Sequence, residues 1–318
     1  MVGKLSGTDA RRSRRILVTG ASGFIGAALK TRFLAQGVEV HAVSRRNRES
    51  DDEGVRWWTA DLADASAAAA VVAGARPDVI FHLSSHVDGS RALGIVLSTF
   101  QSNLQAAVNL MVAALETGCE RFVLAGSMEE PHAETTEAVP SSPYAAAKWA
   151  ASSYARMCHT LYHLPVVLLR IFMVYGPGQR DLRKLVPYVT LSLLRGEAPR
   201  LSSGIRRVDW VYVDDVIEAL VAAGQAPDVE GKTIDVGSGR LVGVRDVVAE
   251  LVRITGASVH PIFGALSDRP MEDESVAEVD RTFTQLGWRP RTPLEAGLRE
   301  TVDWYAQQSI LRRTEIVR

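Results

Sequence analysis

The segment Arg14-Arg15-Ile16-Leu17-Val18-Thr19-Gly20-Ala21-Ser22-Gly23-Phe24-Ile25-Gly26 constrains this chain more than any other. It reads as a short apolar strand, a turn with glycine at every third position, and the opening of an amphipathic helix. Glycine lets a backbone come close to a pyrophosphate, and a helix N-terminus presents free N–H groups and the positive end of its dipole. The spacing is G-x-x-G-x-x-G, so the flanking strand and helix carry as much of the inference as the glycines do. A ligand-free glycine turn is the plainer alternative. The segment points to a nucleotide cofactor and to an α/β fold.

The rest of the first half supports that fold class. Short β-branched runs at 16–19, 38–44, 79–83, 121–125 and 166–172 alternate with helical stretches at 24–36, 63–73, 99–117 and 143–162. This is the pattern of a doubly wound parallel sheet covered by helices. Ligands in such sheets sit beyond the carboxyl ends of the strands, here Gly20, Ser44, Ser84, Ser127 and Met173. After Tyr175-Gly176-Pro177-Gly178 the pattern loosens, with loops over 176–205 and 255–290, strands at 209–213 and 233–236, and helices at 214–223 and 245–255. The division expected is a basic tail (1–13), a dinucleotide-binding domain (14–173, with a returning segment at about 207–240), and a mainly substrate-binding lobe (174–318).

At 318 residues, 47% hydrophobic and 23% charged, with a net charge of −1, the chain suits a large two-lobed α/β unit with the composition of an ordinary soluble globular protein. That balance predicts no nucleic-acid or membrane partner. Arg11, Arg12, Arg14 and Arg15 form a local basic arm, read as a solvated tail, with nucleic-acid contact as the weaker option. No run is long and apolar enough for a membrane span, and residues 1–15 lack the core of a signal peptide. Cys119 and Cys158 are too few for a disulfide scaffold, so the expected setting is a reducing cytoplasm.

The end of the second strand bears on which dinucleotide is held. An NAD site usually places a carboxylate there for the ribose 2′-hydroxyl. Here the strand ends Val43-Ser44-Arg45-Arg46, with no carboxylate before Glu49. A hydroxyl and two guanidiniums suit a 2′-phosphate, which favours NADP(H) over NAD(H).

A catalytic pair stands further on, in Ser141-Ser142-Pro143-Tyr144-Ala145-Ala146-Ala147-Lys148. The serines are capping candidates, Pro143 suits an early helical position, and Tyr144 and Lys148 share a helix face at i, i+4. Phenol is a weak acid–base group at neutral pH, and an adjacent ammonium, joined by the positive charge of an oxidised nicotinamide, is expected to lower its pKa. Ser127, just after a strand, is placed to donate to a substrate oxygen.

With these motifs in place, the chain resembles the extended short-chain dehydrogenase/reductases, in the branch of nucleotide-sugar epimerases and dehydratases. The likeness runs through Thr19–Gly26, Asp61-Leu62, Phe81-His82-Leu83-Ser84-Ser85, Asn103, Ser127, Tyr144-x-x-x-Lys148, Arg170-Ile171-Phe172-x-Val174-Tyr175-Gly176-Pro177-Gly178 and Asp209-Trp210-Val211-Tyr212-Val213-Asp214-Asp215. Arg269-Pro270 and Leu286-Gly287-Trp288-Arg289-Pro290 fit as well.

The resemblance implies a Rossmann domain with a smaller α/β C-terminal lobe that binds a nucleoside diphosphate sugar. It also implies a homodimer through a four-helix bundle built from the helices near 99–117 and 143–162. The cofactor would be held by Gly20, Ser22, Gly23, Phe24, Ile25, Ser44, Arg45, Arg46, Asp61, Leu62, Leu83, Ser84, Ser85, Asn103, Tyr144 and Lys148. Tyr144 would be the acid/base, Lys148 its electrostatic partner and ribose ligand, and Ser127 the oxygen donor. Substrate contacts would come from His86, Ser127, Met128, Met173, Arg207 and Arg269.

The chain departs from the pattern at several places. Met173 stands where the family usually has asparagine, and Val208 where an arginine commonly precedes Asp-Trp. In Gly126-Ser127-Met128-Glu129-Glu130-Pro131, Glu129 holds the position of the carboxylate that acts in 4,6-dehydratases. Met128 replaces the acidic residue before it, and Pro131 replaces a tyrosine. The Gly-Ser-x-Glu-Glu order is more similar to GDP-4-keto-6-deoxymannose 4-reductases. The expectation is therefore an NADP(H)-dependent reductase of a 4-keto sugar. A redox-neutral 4-epimerase, 4,6-dehydratase or decarboxylase is the alternative, and a non-catalytic cofactor sensor the second. His82/His86 and His159/His163 have i, i+4 spacing, but with no HExxH or paired CxxC no metal site is expected.

Overall fold

The computed structural model describes residues 14–48, 54–131, 138–271 and 273–316. The tail at 1–13, with Arg11 and Arg12, lies outside the described residues. The chain opens with β1 (Arg15–Thr19), α1 (Phe24–Leu34), β2 (Glu39–Ser44), β3 (Val55–Thr59), α2 (Ala65–Ala75) and β4 (Val79–His82). A 3₁₀ turn at Leu93–Ile95 leads to α3 (Val96–Thr99), a π-helical segment at Phe100–Gln105, and α4 (Ala106–Thr117). Next come β5 (Arg121–Ser127), α5 (Pro143–Tyr162), β6 (Val166–Ile171), β7 (Met173–Tyr175), α6 (Leu185–Leu194), β8 (Arg207–Tyr212) and α7 (Val213–Ala223). The chain closes with β9 (Thr233–Val236), β10 (Leu241–Gly243), α8 (Val244–Thr255), α9 (Val279–Leu286) and α10 (Leu294–Ile316).

Seven parallel strands form the main sheet in the order β3-β2-β1-β4-β5-β6-β9, a Rossmann-like α/β fold. A second sheet runs β10-β8-β7, parallel between β7 and β8 and antiparallel between β8 and β10. The central strands are buried along their whole length, as parallel strands covered on both faces must be. Ile16, Val18 and Phe81 face one side with Leu29 and Phe33 of α1 and Leu220 of α7. Leu17, Ile80 and Leu124 face the other with Val72, Leu110 and Ala151 of the alanine-rich helices. Small side chains let those helices lie close to the sheet.

Local chemistry sets the helix starts. The Asp64 carboxylate accepts from Ala67 N at 3.0 Å and caps α2; the Ser142 hydroxyl accepts from Ala145 N at 3.1 Å and caps α5, with Pro143 in the first turn. The strand order reverses between β1 and β4, so a switch point opens at their carboxyl ends.

The structure adds elements that the periodicity did not predict. β3 is an edge strand, α6 occupies the stretch 176–205 read as loop, and α9 lies within 255–290. The run 166–172 breaks between β6 and β7, and the helix predicted over 99–117 carries the π segment. Of the basic arm, Arg14 is exposed and also donates to Glu120 (Nη2–Oε2 2.6 Å), and Arg15 starts β1.

Candidate active site

The glycine turn is built by exclusion of side chains. Gly20 has φ of +67°, and a Cβ there would sit 2.8 Å from Ser84 N. A Cβ on Gly26 would stand 2.2 Å from Gly20 O. These approaches press β1, β4 and α1 together. Gly23 is the N-cap of α1, with no side-chain hydrogen bond to its first turn. The helix N-terminus therefore faces a cavity of about 300 Å³ with its N–H groups free.

That cavity brings together Gly20, Ser22, Gly23, Phe24 and Ile25 from the turn and helix start with Ser44 at the end of β2 and Arg45 after it. Asp61 and Leu62 follow from the loop after β3, and Leu83, Ser84 and Ser85 from the loop after β4. His86, expected on the substrate side, also lines this cavity. Ser85 Oγ is buried there without a hydrogen-bond partner.

Two expected contacts are placed elsewhere. Arg46 is exposed and outside the lining, its N–H donating to Ser44 Oγ at 3.2 Å. Asn103 is turned inward by the π segment and is spent on His86. Its Oδ1 accepts from His86 N at 2.6 Å, and its Nδ2 donates to His86 O at 3.1 Å. Asn103 shapes the loop that borders the cavity instead of lining it.

A second cavity of about 690 Å³ lies between the carboxyl ends of the main sheet and the smaller sheet. Glu129, Tyr144, Met173 and Arg269 line it, and Val87 borders both cavities. Ser127 and Lys148 lie behind this wall, 6% and 5% exposed. Met128 is packed into the core, and Arg207 is exposed and ion-paired with Glu274 (Nη2–Oε2 2.6 Å). The strand alternates, so Arg206, Val208 and Trp210 face the cavity while Arg207 points away. Arg206, Trp210, Tyr188, Lys184 and Arg200 are lining residues that the sequence reading did not single out.

Around Tyr144 the protein's own groups favour the neutral phenol. Burial pushes its phenol above the ordinary tyrosine value, the hydrogen bond with Ser127 opposes this, and Glu129 and Glu130 add to the rise. Lys148 does not lower it here. The Lys148 Nζ donates to Ala125 O at 2.8 Å and stands 6.0 Å from the Tyr144 ring centroid. Burial pulls Lys148 itself down to about 8, with Glu130 opposing. Tyr144 is thus a protonated phenol at neutral pH, ready to donate.

His82 also has a defined state. Thr19 Oγ1 accepts from Leu83 N and Ser84 N, both at 3.1 Å, so its single proton goes to His82 Nδ1 at 2.9 Å. His82 Nε2 carries the ring proton, and burial, with Lys148 nearby, pulls this histidine down to about 3. His159 Nδ1 meets Leu164 O at 3.0 Å. Among the described residues no three His, Cys, Asp or Glu side chains converge as a metal site would require. Nor is any described helix long and apolar enough to cross a membrane.

Comparison with known proteins extends the picture. The model of the NAD dependent epimerase/dehydratase family matches residues 16–237. A UDP-glucose 4-epimerase of Mycolicibacterium smegmatis is 30% identical, over 93% of this chain and 99% of its own length. A dTDP-glucose 4,6-dehydratase of Shigella flexneri is 30% identical, over 92% of both. Among solved structures, the UDP-glucose 4-epimerase of Thermus thermophilus, in complex with NAD, superposes with a TM-score of 0.78 at 28% identity. That match covers 92% of this chain and 98% of the other.

Proposed function

This chain belongs to the NAD-dependent epimerase/dehydratase family of extended short-chain dehydrogenase/reductase enzymes, and from that premise we propose that it moves hydride at a sugar carbon of a nucleoside diphosphate sugar, with NADPH-driven reduction of a 4-keto sugar as the leading reaction. One observation carries this reading. Tyr144, one helical turn from Lys148, looks into a large cationic cavity directly beside the glycine-built one.

The smaller cavity fits a dinucleotide. Gly26 has no room for a side chain, the α1 N-terminus is uncapped, and Ser85 Oγ has no protein partner. The chemistry that a nicotinamide dinucleotide would supply there is the giving or taking of a hydride. Gly20–Ile25 and the α1 N-terminus would hold its pyrophosphate, Asp61 and Leu62 its adenine side, and Ser44 with Arg45 its ribose 2′ position. Among the sugar-side groups, Tyr144 gives or takes the proton at the reacting oxygen, and Ser127 steadies that oxygen by hydrogen bonding. Lys148 sets the charge beside them. Arg206, Lys184, Arg200 and Arg269 give the larger cavity the positive surface that a diphosphate needs. The lobe after residue 173 supplies most of that wall and is the substrate lobe in this reading.

The redox-neutral reading, with NAD held through a 4-epimerase, dehydratase or decarboxylase cycle, has its own support. Arg46 lies outside the cavity, leaving one guanidinium at the 2′ position, and the relatives are named as an epimerase and a dehydratase. Incubating the purified protein with a panel of nucleoside diphosphate 4-keto-6-deoxy sugars and NADPH separates the two. Loss of NADPH absorbance is the expected result. Tightly bound NAD with isomerised or dehydrated product, and no net consumption, overturns the reductase reading. Cofactor binding without turnover on any sugar returns the non-catalytic sensor.

The assembly proposed is a homodimer in a cytoplasmic setting. Tyr154, Met157 and Leu161 form an exposed stripe on α5, near exposed Leu97 and Phe100. Two such helix faces meeting make the four-helix bundle, and sedimentation equilibrium at twice the chain mass is the expected outcome.

A further inference from the structure

The turn after β5 carries two adjacent carboxylates that diverge. Glu129 lines the large cavity, whereas Glu130 is only 6% exposed. Glu130 Oε1 accepts from Ser127 N at 2.8 Å. The same oxygen lies over Gly126, where an added Cβ would meet it at 2.5 Å. Lys148 docks one residue earlier on that strand, through its 2.8 Å hydrogen bond to Ala125 O. Two buried side chains of opposite charge thus rest on three consecutive residues, Ala125-Gly126-Ser127. A buried carboxylate is costly without a compensating charge, and so is a buried ammonium.

We propose that Glu130 is a positioning residue of the active site, its carboxylate fixing the Ser127 backbone and holding the neighbouring Lys148 as an ammonium. The groups around Lys148 leave this task to Glu130. His82 faces it from β4 and stays neutral, far below its ordinary value. Tyr144 precedes it by one turn on α5 and is also neutral. Arg170 lies beside Gly126 in the β5–β6 register and stands 3.5 Å from Asp235. Glu130 is the negative group that opposes the burial of Lys148. The need for glycine at 126 follows, since a side chain there would displace the carboxylate. The catalytic consequence rests on the hydride-transfer reading above; the charge relation does not.

The chain has only five lysines, so protein labelled with ¹⁵N-lysine gives a side-chain NMR spectrum in which each ammonium can be followed against pH. The Lys148 signal is assigned by its loss in Lys148→Met. In the native protein its midpoint is expected near 8. In Glu130→Gln it should fall by about half a pH unit or more, the direction expected on removing a nearby opposite charge. Gly126→Ala, which displaces the carboxylate without deleting it, should move the midpoint the same way and decides the matter if Glu130→Gln does not fold. An unchanged midpoint in either folded variant overturns the proposal. With an active sugar in hand, the alkaline limb of the kcat profile should shift to lower pH in Glu130→Gln. A shifted midpoint in a protein that turns over no nucleotide sugar would keep the charge role and sink the reaction instead.

Discussion

The two cavities that share Val87 as a border are made in opposite ways. The smaller is a backbone object, in which Gly20 and Gly26 admit close approach and a helix end supplies the N–H groups. The larger is a side-chain object, with charges and rings from α6, β8 and the loop at 266–269 converging across the smaller sheet. A backbone site tolerates almost no change at a few positions and much change elsewhere. A side-chain site can be retuned residue by residue, which is how one hydride-transfer frame serves many substrates.

Replacing Tyr144 by Phe should give the largest separation between the two regions. Turnover is expected to fall by about 10²–10⁴-fold, while dinucleotide affinity by fluorescence titration stays nearly unchanged. Comparable loss in both would mean that Tyr144 belongs to the cofactor cavity.

Gly26→Ala attacks the backbone region. Its Cβ would meet a carbonyl oxygen at 2.2 Å, so either the turn or the helix must move. Overpacking of this kind costs roughly 1–3 kcal/mol or more, read in urea melts, and dinucleotide binding should weaken about 100-fold. Unchanged binding would show that the turn is merely structural.

Lys148 sits at the boundary and gives a pH signature. Burial holds its folded pKa near 8, below the 10.5 of the exposed side chain. Below pH 8 both states carry the proton, and the fold bears the full cost of the buried charge. As pH rises from 8 toward 10 the folded form sheds it first, so stability climbs, by up to about 3 kcal/mol from this group. Above 10 the buried phenols Tyr144, Tyr175 and Tyr212, all raised by burial, reverse the trend. Urea midpoints across this range check the shape, and Lys148→Met should flatten the rise.

The smallest effect sharpens the side-chain region. Arg206→Ala should raise KM for a nucleoside diphosphate sugar about tenfold, as loss of a charge-assisted hydrogen bond does. Arg207→Ala, which breaks only the exposed pair with Glu274, should leave it within about twofold. Equal effects would dissolve the distinction between the two faces of β8.

The same contrast explains what could be read from the residues alone. The glycine turn, Ser44, Asp61-Leu62 and Leu83–Ser85 are contiguous signals, and the fold brings them to one cavity. Tyr144 and Lys148 are legible because helix spacing fixes their relation. Arg206 escapes such a reading, and Arg207 takes its place, because adjacent arginines look equivalent until strand register assigns each a face. Asn103 differs for another reason: a π segment has more residues per turn than an α-helix and so shifts which side chains face inward. β3 is easily overlooked because an edge strand, half-exposed on both faces, shows little alternation, although Trp57 and Trp58 mark it as β-prone. Lys148 and Tyr144 have the predicted spacing, yet their charges are set by burial and by Glu130, which no spacing reveals.

The pairing of β9 with β6 has a consequence for synthesis on the ribosome. The large sheet cannot seal its β6 side until residue 236 has left the exit tunnel, after α6 and the strands of the small sheet up to β8 have emerged. Until then Leu168–Ile171 is an unsatisfied edge on a nascent chain, open to pairing with a neighbour. A fragment ending near 173 inherits that open edge permanently. It should come out of cells in aggregates, however complete its nucleotide-binding signature looks on paper.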